Sequence, residues 1–215
     1  MKTTAPLPPE GTRQALIAAG IRLFGRQGYA ATSVRSLAQE AGANIAAIAY
    51  HFGGKDGLRL ACAEEFGQRM AGAIGQTGGP PAIGPQAARE ELKLIVRNVV
   101  RFLLSGPGAS EIVPFMLREL AEGGPGIDAV YTGFAEPTHR RLCALWGQAT
   151  GTDPEADSTR LAVFTLIGQL MYFRIGRSVV ARRMGWTTID APEIGQIASR
   201  IIRNLDAMLD TDRGP

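Results

Sequence analysis

Residues able to carry out nucleophilic, acid–base or metal chemistry are few in this chain and lie far apart. Its two cysteines, Cys62 and Cys143, show no CxxC or Cys/His spacing, so neither a zinc site nor a disulfide framework is signalled. The two histidines, His51 and His139, belong to no HExxH motif, and no GxSxG marks a nucleophile elbow. The run GGKD at 53–56 approaches a phosphate loop. However, GxxxxGK followed by Ser or Thr would need glycine at Ala49 and a hydroxyl residue at Asp56. No catalytic residue, metal site or cofactor is expected, and the chain reads as a non-enzyme. The segment that suggests a function lies instead between Thr32 and Lys55.

The elements that must position those side chains are short helices. Leu16, Ala19, Leu23 and Phe24 give an amphipathic stripe over Thr12–Gln27, which Gly28 ends. Thr32 or Ser33 can cap a second helix, about Val34–Ala41, with Val34, Leu37, Ala38 and Ala41 on one face and Gly42 as its stop. Asn44 can cap a third helix running to about His51, with Ile48 and Phe52 turned toward the first two. Gly53 and Gly54 close the trio. A fourth helix is predicted from Lys55 or Asp56 to about Gln76, before a Gly/Pro loop at 78–85. Two short helices joined by a glycine-containing turn are the layout of a helix-turn-helix, whose second helix enters the major groove of DNA.

Helical periodicity continues downstream over 86–104, 110–121, 127–150, 158–184 and 191–209, separated by turn compositions at 105–108, 123–126 and 151–154. No strand-like alternation occurs, so the expectation is an all-α chain of about nine helices. Pro114 and Pro137 fall inside two of them and should kink or split each. Three parts are expected: a disordered proline-rich arm at 1–10, a helix-turn-helix domain at 11–58, and a helical ligand-binding and dimerisation domain at 59–215.

Bulk properties narrow the class further. The 215 residues carry 23 Lys or Arg against 20 Asp or Glu. The surplus is located: residues 1–58 hold Lys2, Arg13, Arg22, Arg26, Arg35 and Lys55 against Glu10, Glu40 and Asp56, while 59–215 is balanced. Positive charge confined to the helix-turn-helix half suits phosphate binding there. The first ten residues lack a secretory h-region, and the apolar stretch 161–180 is interrupted by Gln169, Arg174 and Arg177. A cytoplasmic protein without a membrane span is therefore expected.

The segment SVRSLAQEAGANIAAIAYHF at 33–52 resembles the DNA-binding motif of the TetR family of transcription regulators. The resemblance extends upstream through LFGRQGYAATSV at 23–34 and downstream through GGKDGL at 53–58. The C-terminal part, with FMLRE at 115–119 and EPTHRRLCAL at 136–145, is similar to the branch with a CecR-type C-terminal domain. The resemblance implies a homodimeric DNA-binding regulator, and each residue can be checked for the chemistry required. Thr32 or Ser33 would meet phosphate at a helix N-terminus, and Arg35 would reach backbone or base. Tyr50 and His51 would donate to the DNA backbone, and Lys55 would act as a point charge for phosphate. Asn44, Ile45, Ala46 and Ala47 remain for bases, with only Asn44 able to hydrogen-bond a base edge and the others limited to apolar contact. The chain departs from the usual pattern in three ways. Asn44 replaces a serine cap, Ala49 stands where tyrosine is usual, and the reading helix carries no Lys or Arg. Readout by methyl contact and DNA shape is the consequence, with affinity dependent on dimerisation.

In the C-terminal half, Phe115, Arg118, Tyr131, Phe134, His139, Trp146, Gln169, Tyr172 and Phe173 give the mixture of aromatics and sparse polar groups that suits a small-molecule pocket, though single aromatics at helical spacing equally suit a core. Helix 158–184 is apolar almost all round, and the last helix carries a seam of Ile194, Ile197, Ile201, Leu205 and Met208. The resemblance implies that these two helices form a dimer interface, with Phe164, Gly168, Met171 and Ile175 contributed by the first. The functional expectation is a repressor that reads a near-palindromic operator in double-stranded DNA and is released by a small-molecule effector. The alternative is a small-molecule- or protein-binding helical module without specific DNA recognition.

Overall fold

A computed structural model describes residues 9–75, 83–106, 108–123 and 125–212. Among them there is no β-strand. The helices are α1 (Pro9–Ala31), α2 (Val34–Ala41), α3 (Ile45–Phe52), α4 (Lys55–Ile74), α5 (Pro85–Ser105), α6 (Ala109–Glu122) and α7 (Pro125–Val130). A one-turn π segment (Tyr131–Ala135) follows, then α8 (Glu136–Thr150), α9 (Asp157–Ile175), α10 (Arg177–Met184) and α11 (Ala191–Thr211). No described helix is long and apolar enough to cross a membrane.

The helices fall into two compact units. One contains residues up to Arg69 together with Ser110–Phe134; the other contains Met70–Ala109 and Ala135 onward. In the first unit α1 packs on α2 and α3. Leu16, Phe24, Leu37, Ile48, Leu58, Phe66, Ile112 and Phe115 are fully or almost fully buried there. In the second, α5 packs on α8, α9 and α11. Trp146 is fully buried, and its indole N–H donates to the Asp212 carboxylate at 3.1 Å.

Several boundaries differ from those that periodicity predicts. Residues 1–8 of the expected arm lie outside the described residues, and its last two, Pro9 and Glu10, belong to α1, where proline's fixed φ suits a first turn. The stop at Gly28 is a local break: its backbone (φ 82°, ψ 168°) leaves the helical region, and one short turn follows. The 127–150 helix is divided by the π segment just before Pro137. Proline lacks the N–H for an i−4 bond and its ring crowds the carbonyl of that turn, and a widened turn accommodates both. By contrast, α6 runs through Pro114 without splitting. The long apolar helix predicted over 158–184 breaks at Gly176 into α9 and α10.

Candidate nucleic-acid interface

The helix-turn-helix is fixed by its caps. Ser33 is extended, its Oγ accepts from the Ser36 amide at 3.0 Å, and its own amide donates to Ser36 Oγ at 3.2 Å, a reciprocal box that starts α2. Gly42 ends α2 in the left-handed conformation (φ 62°), which asks for glycine, and turns the chain toward α3. Asn44 caps α3 by accepting from the Ala46 amide at 2.9 Å. One face of α3 is anchored through buried Ile48. The other presents Asn44, Ile45, Ala46, Ala49 and Tyr50, with Ile45 49% and Tyr50 83% exposed. An apolar residue and a phenol left this open on an eight-residue helix form a surface made for contact.

Of the residues expected to meet DNA, Ser33, Arg35, Asn44, Ile45, Ala46 and Tyr50 are exposed, and Ala47 and His51 are half-buried. His51 lies edge-on to Tyr50, with ring centroids 4.9 Å apart. Thr32 is corrected. It is buried, its hydroxyl donates to the Gly28 carbonyl at 2.7 Å, and it accepts from Gln27 Nε2 at 3.2 Å, so Ser33 alone holds the exposed hydroxyl at the α2 N-terminus. Lys55 is turned inward. Its ammonium donates to the carbonyls of Tyr29 (3.0 Å) and Thr32 (2.9 Å) and lies 4.0 Å from the centroid of the Tyr29 ring. It therefore fixes the backbone entering α2, and both of its hydrogen-bond acceptors are neutral carbonyls. Phe52 is half-buried beneath the Arg13 guanidinium.

A second group of residues holds this reading head, and sequence reasoning missed it. Arg59 on α4 donates to both carboxylate oxygens of Glu119 on α6 at 2.9 Å, with Glu119 1% exposed. The same guanidinium donates to the Gly123 carbonyl at 3.1 Å and covers the Tyr29 ring at 4.6 Å. Tyr29 donates its phenol to Asp56, and its amide donates to Glu122 at 3.4 Å. Burial first, then the Asp56 carboxylate, pushes the Tyr29 phenol up to about 12, so it stays protonated. Burial likewise raises the Glu119 carboxyl above its ordinary range, against the pull of Arg59. One signal was available in the sequence: Glu119 lies one helical turn after Phe115, on the buried side of α6, where an acid needs a partner.

The pocket candidates are not brought together as a set. Phe115, Arg118, Tyr131 and Phe134 belong to the first unit and the rest to the second. Phe115 and Trp146 are fully buried core residues. Phe134 packs edge-on against Phe66, and Arg118 donates to the Arg26 carbonyl at 3.1 Å. Tyr131 and Tyr172 are exposed, and Phe173 is half-buried beside Tyr172. His139 stacks on Phe164 with centroids 4.0 Å apart, and Gln169 bridges Met208 and Asn204.

The expected dimer seam is corrected in part. Ile194, Ile197, Ile201 and Leu205 are buried within the chain, on the helix that packs against α5, and Met208 is half-buried. On α9, Phe164 (58%), Gly168 and Ile175 (59%) are exposed and Met171 is half-buried. Leu161 and Val179 extend this open apolar face.

Comparison with known proteins places these features. Residues 16–62 match the model for bacterial regulatory proteins of the tetR family, and residues 88–211 match the C-terminal domain of the HTH-type transcriptional dual regulator CecR. The CecR protein of Shigella flexneri is 33% identical over 93% of this chain and 92% of its own length. The HTH-type transcriptional repressor AcnR of Corynebacterium glutamicum is 36% identical over 36% of this chain and 42% of its own. Two solved structures share the fold. AibR, in complex with isovaleryl coenzyme A and operator DNA, superposes with a TM-score of 0.65 at 18% identity, covering 89% of this chain and 96% of AibR. A TetR-family regulator from Streptomyces coelicolor superposes with a TM-score of 0.66 at 18% identity, covering 96% and 92%.

Proposed function

Because this chain belongs to the TetR family of bacterial transcription regulators and carries the CecR-type C-terminal domain, we propose that it acts in the cytoplasm as a homodimeric repressor. In this reading it leaves its operator when a small molecule occupies the second unit. The observation that carries the reading is the open face of α3, capped, anchored by Ile48, and free of charge. Ile45, Ala46 and Ala47 meet thymine methyls, and the Asn44 amide donates to a base edge while its Oδ1 caps the helix. Ser33, Arg35, Tyr50 and His51 contact phosphates, and Lys55 adds its charge at short range while holding the turn.

Dimerisation follows from the apolar face of α9. Leu161, Phe164, Gly168 and Ile175 are better covered by a second copy than left in water, and a two-fold pair of heads reads a near-palindromic site. Release is a population shift that ligand binding transmits along α4, whose first residues belong to one unit and whose last belong to the other. The effector role is supported by the fold shared with AibR, which was solved with both an acyl coenzyme A and operator DNA.

The test is selection of duplexes from a random pool, followed by titration of the selected site against salt. A specific, salt-sensitive complex is expected, weakened about tenfold by Tyr50→Ala and likewise weakened by Arg35→Ala. Equal binding of selected and scrambled duplexes would withdraw the DNA reading in favour of a ligand- or protein-binding helical module. In light scattering, Phe164→Glu should halve the molar mass.

A further inference from the structure

Residues 158–189 carry Arg160, Arg174, Arg177, Arg182 and Arg183 and no Asp or Glu. Arg160 pairs with Glu155 and Asp157. No described carboxylate lies within 4.0 Å of the other four. Two of them, Arg174 at the end of α9 and Arg177 at the start of α10, are part-buried in the second unit. Arg174 donates to the Ala109 carbonyl at 3.3 Å, while its buried Nε has no acceptor. Arg177 donates to the carbonyls of Leu104 (2.7 Å) and Ile189 (3.2 Å). The Leu104 contact also caps the C-terminus of α5, which accounts for where Arg177 sits but leaves its charge uncompensated.

We propose that Arg174 and Arg177 form a binding site for the carboxylate or phosphate head of an organic anion. Neutral carbonyls hold each guanidinium by part of its edge and fix its direction, which lowers the ordering cost of meeting a ligand. Because no acid is present, both charges remain available, and the remaining donors suit the forked geometry of a carboxylate or phosphate. Partial burial and the neighbouring Arg177 charge both depress the Arg174 pKa, the strain expected of a cation without its counterion. Anion binding stands on this geometry alone; only its use as the effector site rests on the regulator reading.

The test is calorimetric titration of the full chain at low salt with octanoate, inorganic phosphate and, as the neutral control, methyl octanoate. Octanoate or phosphate should bind with an affinity that falls as salt rises, and methyl octanoate should not. Binding of octanoate alone identifies a carboxylate site; binding of phosphate alone identifies a phosphoryl site. Arg174→Gln should weaken binding about ten- to a hundredfold, and Arg174→Lys should fall between. Arg177→Gln also uncaps α5, so Arg174→Gln, which loses only the Ala109 contact, is the deciding variant. Failure of both anions to bind, or equal binding by wild type and Arg174→Gln, overturns the site. So does a halved molar mass of Arg174→Gln with no anion bound, which would make the guanidinium a contact to a second copy. The same samples are titrated with the selected duplex. If DNA binds and the anions do not, only this proposal falls; if an anion binds without weakening the DNA complex, the site stands and its effector role is withdrawn.

Discussion

Arginines in the two units face the same physical problem and meet it in opposite ways. Arg59 is buried, and Glu119, more deeply buried still, accepts from its Nε with both carboxylate oxygens. Arg174 and Arg177 are part-buried and meet only backbone carbonyls. A cation closed by an acid is finished as structure: it locks α6 to the reading head and has nothing left to offer a ligand. A cation held by carbonyls is aimed but not neutralised. The contrast separates charges that hold the fold from charges that stand ready for something absent.

The largest effect is expected from Glu119→Ala, which leaves the buried Arg59 with only the more distant Glu122 carboxylate, at 3.8 Å. A loss of about 3–5 kcal/mol of unfolding free energy is expected for removing one partner of a buried pair, measured by urea denaturation. A loss below about 1 kcal/mol would show that water reaches Arg59 and that the pair is no lock. Tyr50→Ala tests the reading face: operator affinity should fall about tenfold, the worth of a lost contact to a charged phosphate, while the melting temperature stays put because the side chain is 83% exposed. A drop in both would make Tyr50 a packing residue.

A smaller effect is expected at the helix start. Ser33→Ala should cost about 1 kcal/mol for a lost N-cap, with Ser33→Asp recovering most of the stability but not the DNA affinity, since it sets an acid against phosphate. Tyr29 adds a pH test. Its phenol is raised from 10.0 to about 12, so its contribution is fully present below pH 10 and is lost as pH rises through about 12. Tyr29→Phe should therefore flatten the stability profile over that window, and an ultraviolet absorbance titration of the wild type should show one tyrosine ionising late. The smallest change is predicted at Arg174. Its replacement by Met should alter unfolding free energy by no more than about 0.5 kcal/mol, because the lost carbonyl contact is offset by relief of an unpaired charge. A loss of several kcal/mol would place Arg174 with Arg59 among the structural cations.

Much of the fold was legible in the chain. The caps Ser33 and Asn44, the stop at Gly42 and the 3.6-residue stripes are local signals, and they define α2 and α3 within a residue. In the C-terminal half the break near Pro137 follows from proline's missing donor, whereas α6 runs on through Pro114 and the break at Gly176 carries no side-chain signal in the sequence. Of the candidate site residues to which the resemblance points, Ser33, Arg35, Asn44, Ile45, Ala46 and Tyr50 are exposed. Thr32 and Lys55 were misread as free groups, because the partners that take them, Gly28, Tyr29 and Thr32 carbonyls, are backbone atoms that no side-chain pattern records. The last helix shows the same limit: its isoleucine seam is unmistakable, but a seam does not say whether the apolar surface opposite it is α5 or a second chain.

Short windows of the amino-acid sequence are enough to establish that this protein is all helical, that a helix-turn-helix lies near its N-terminus, and that the reading helix carries no positive charge. Capping chemistry, glycine conformation and apolar periodicity set those properties locally. Which charges are spent is a matter of tertiary packing. Glu119 lies sixty residues from Arg59, and Ala109 sixty-five from Arg174. At such separations it is the packing of α-helices against one another, not spacing along the chain, that selects whether a guanidinium finds a carboxylate or a carbonyl.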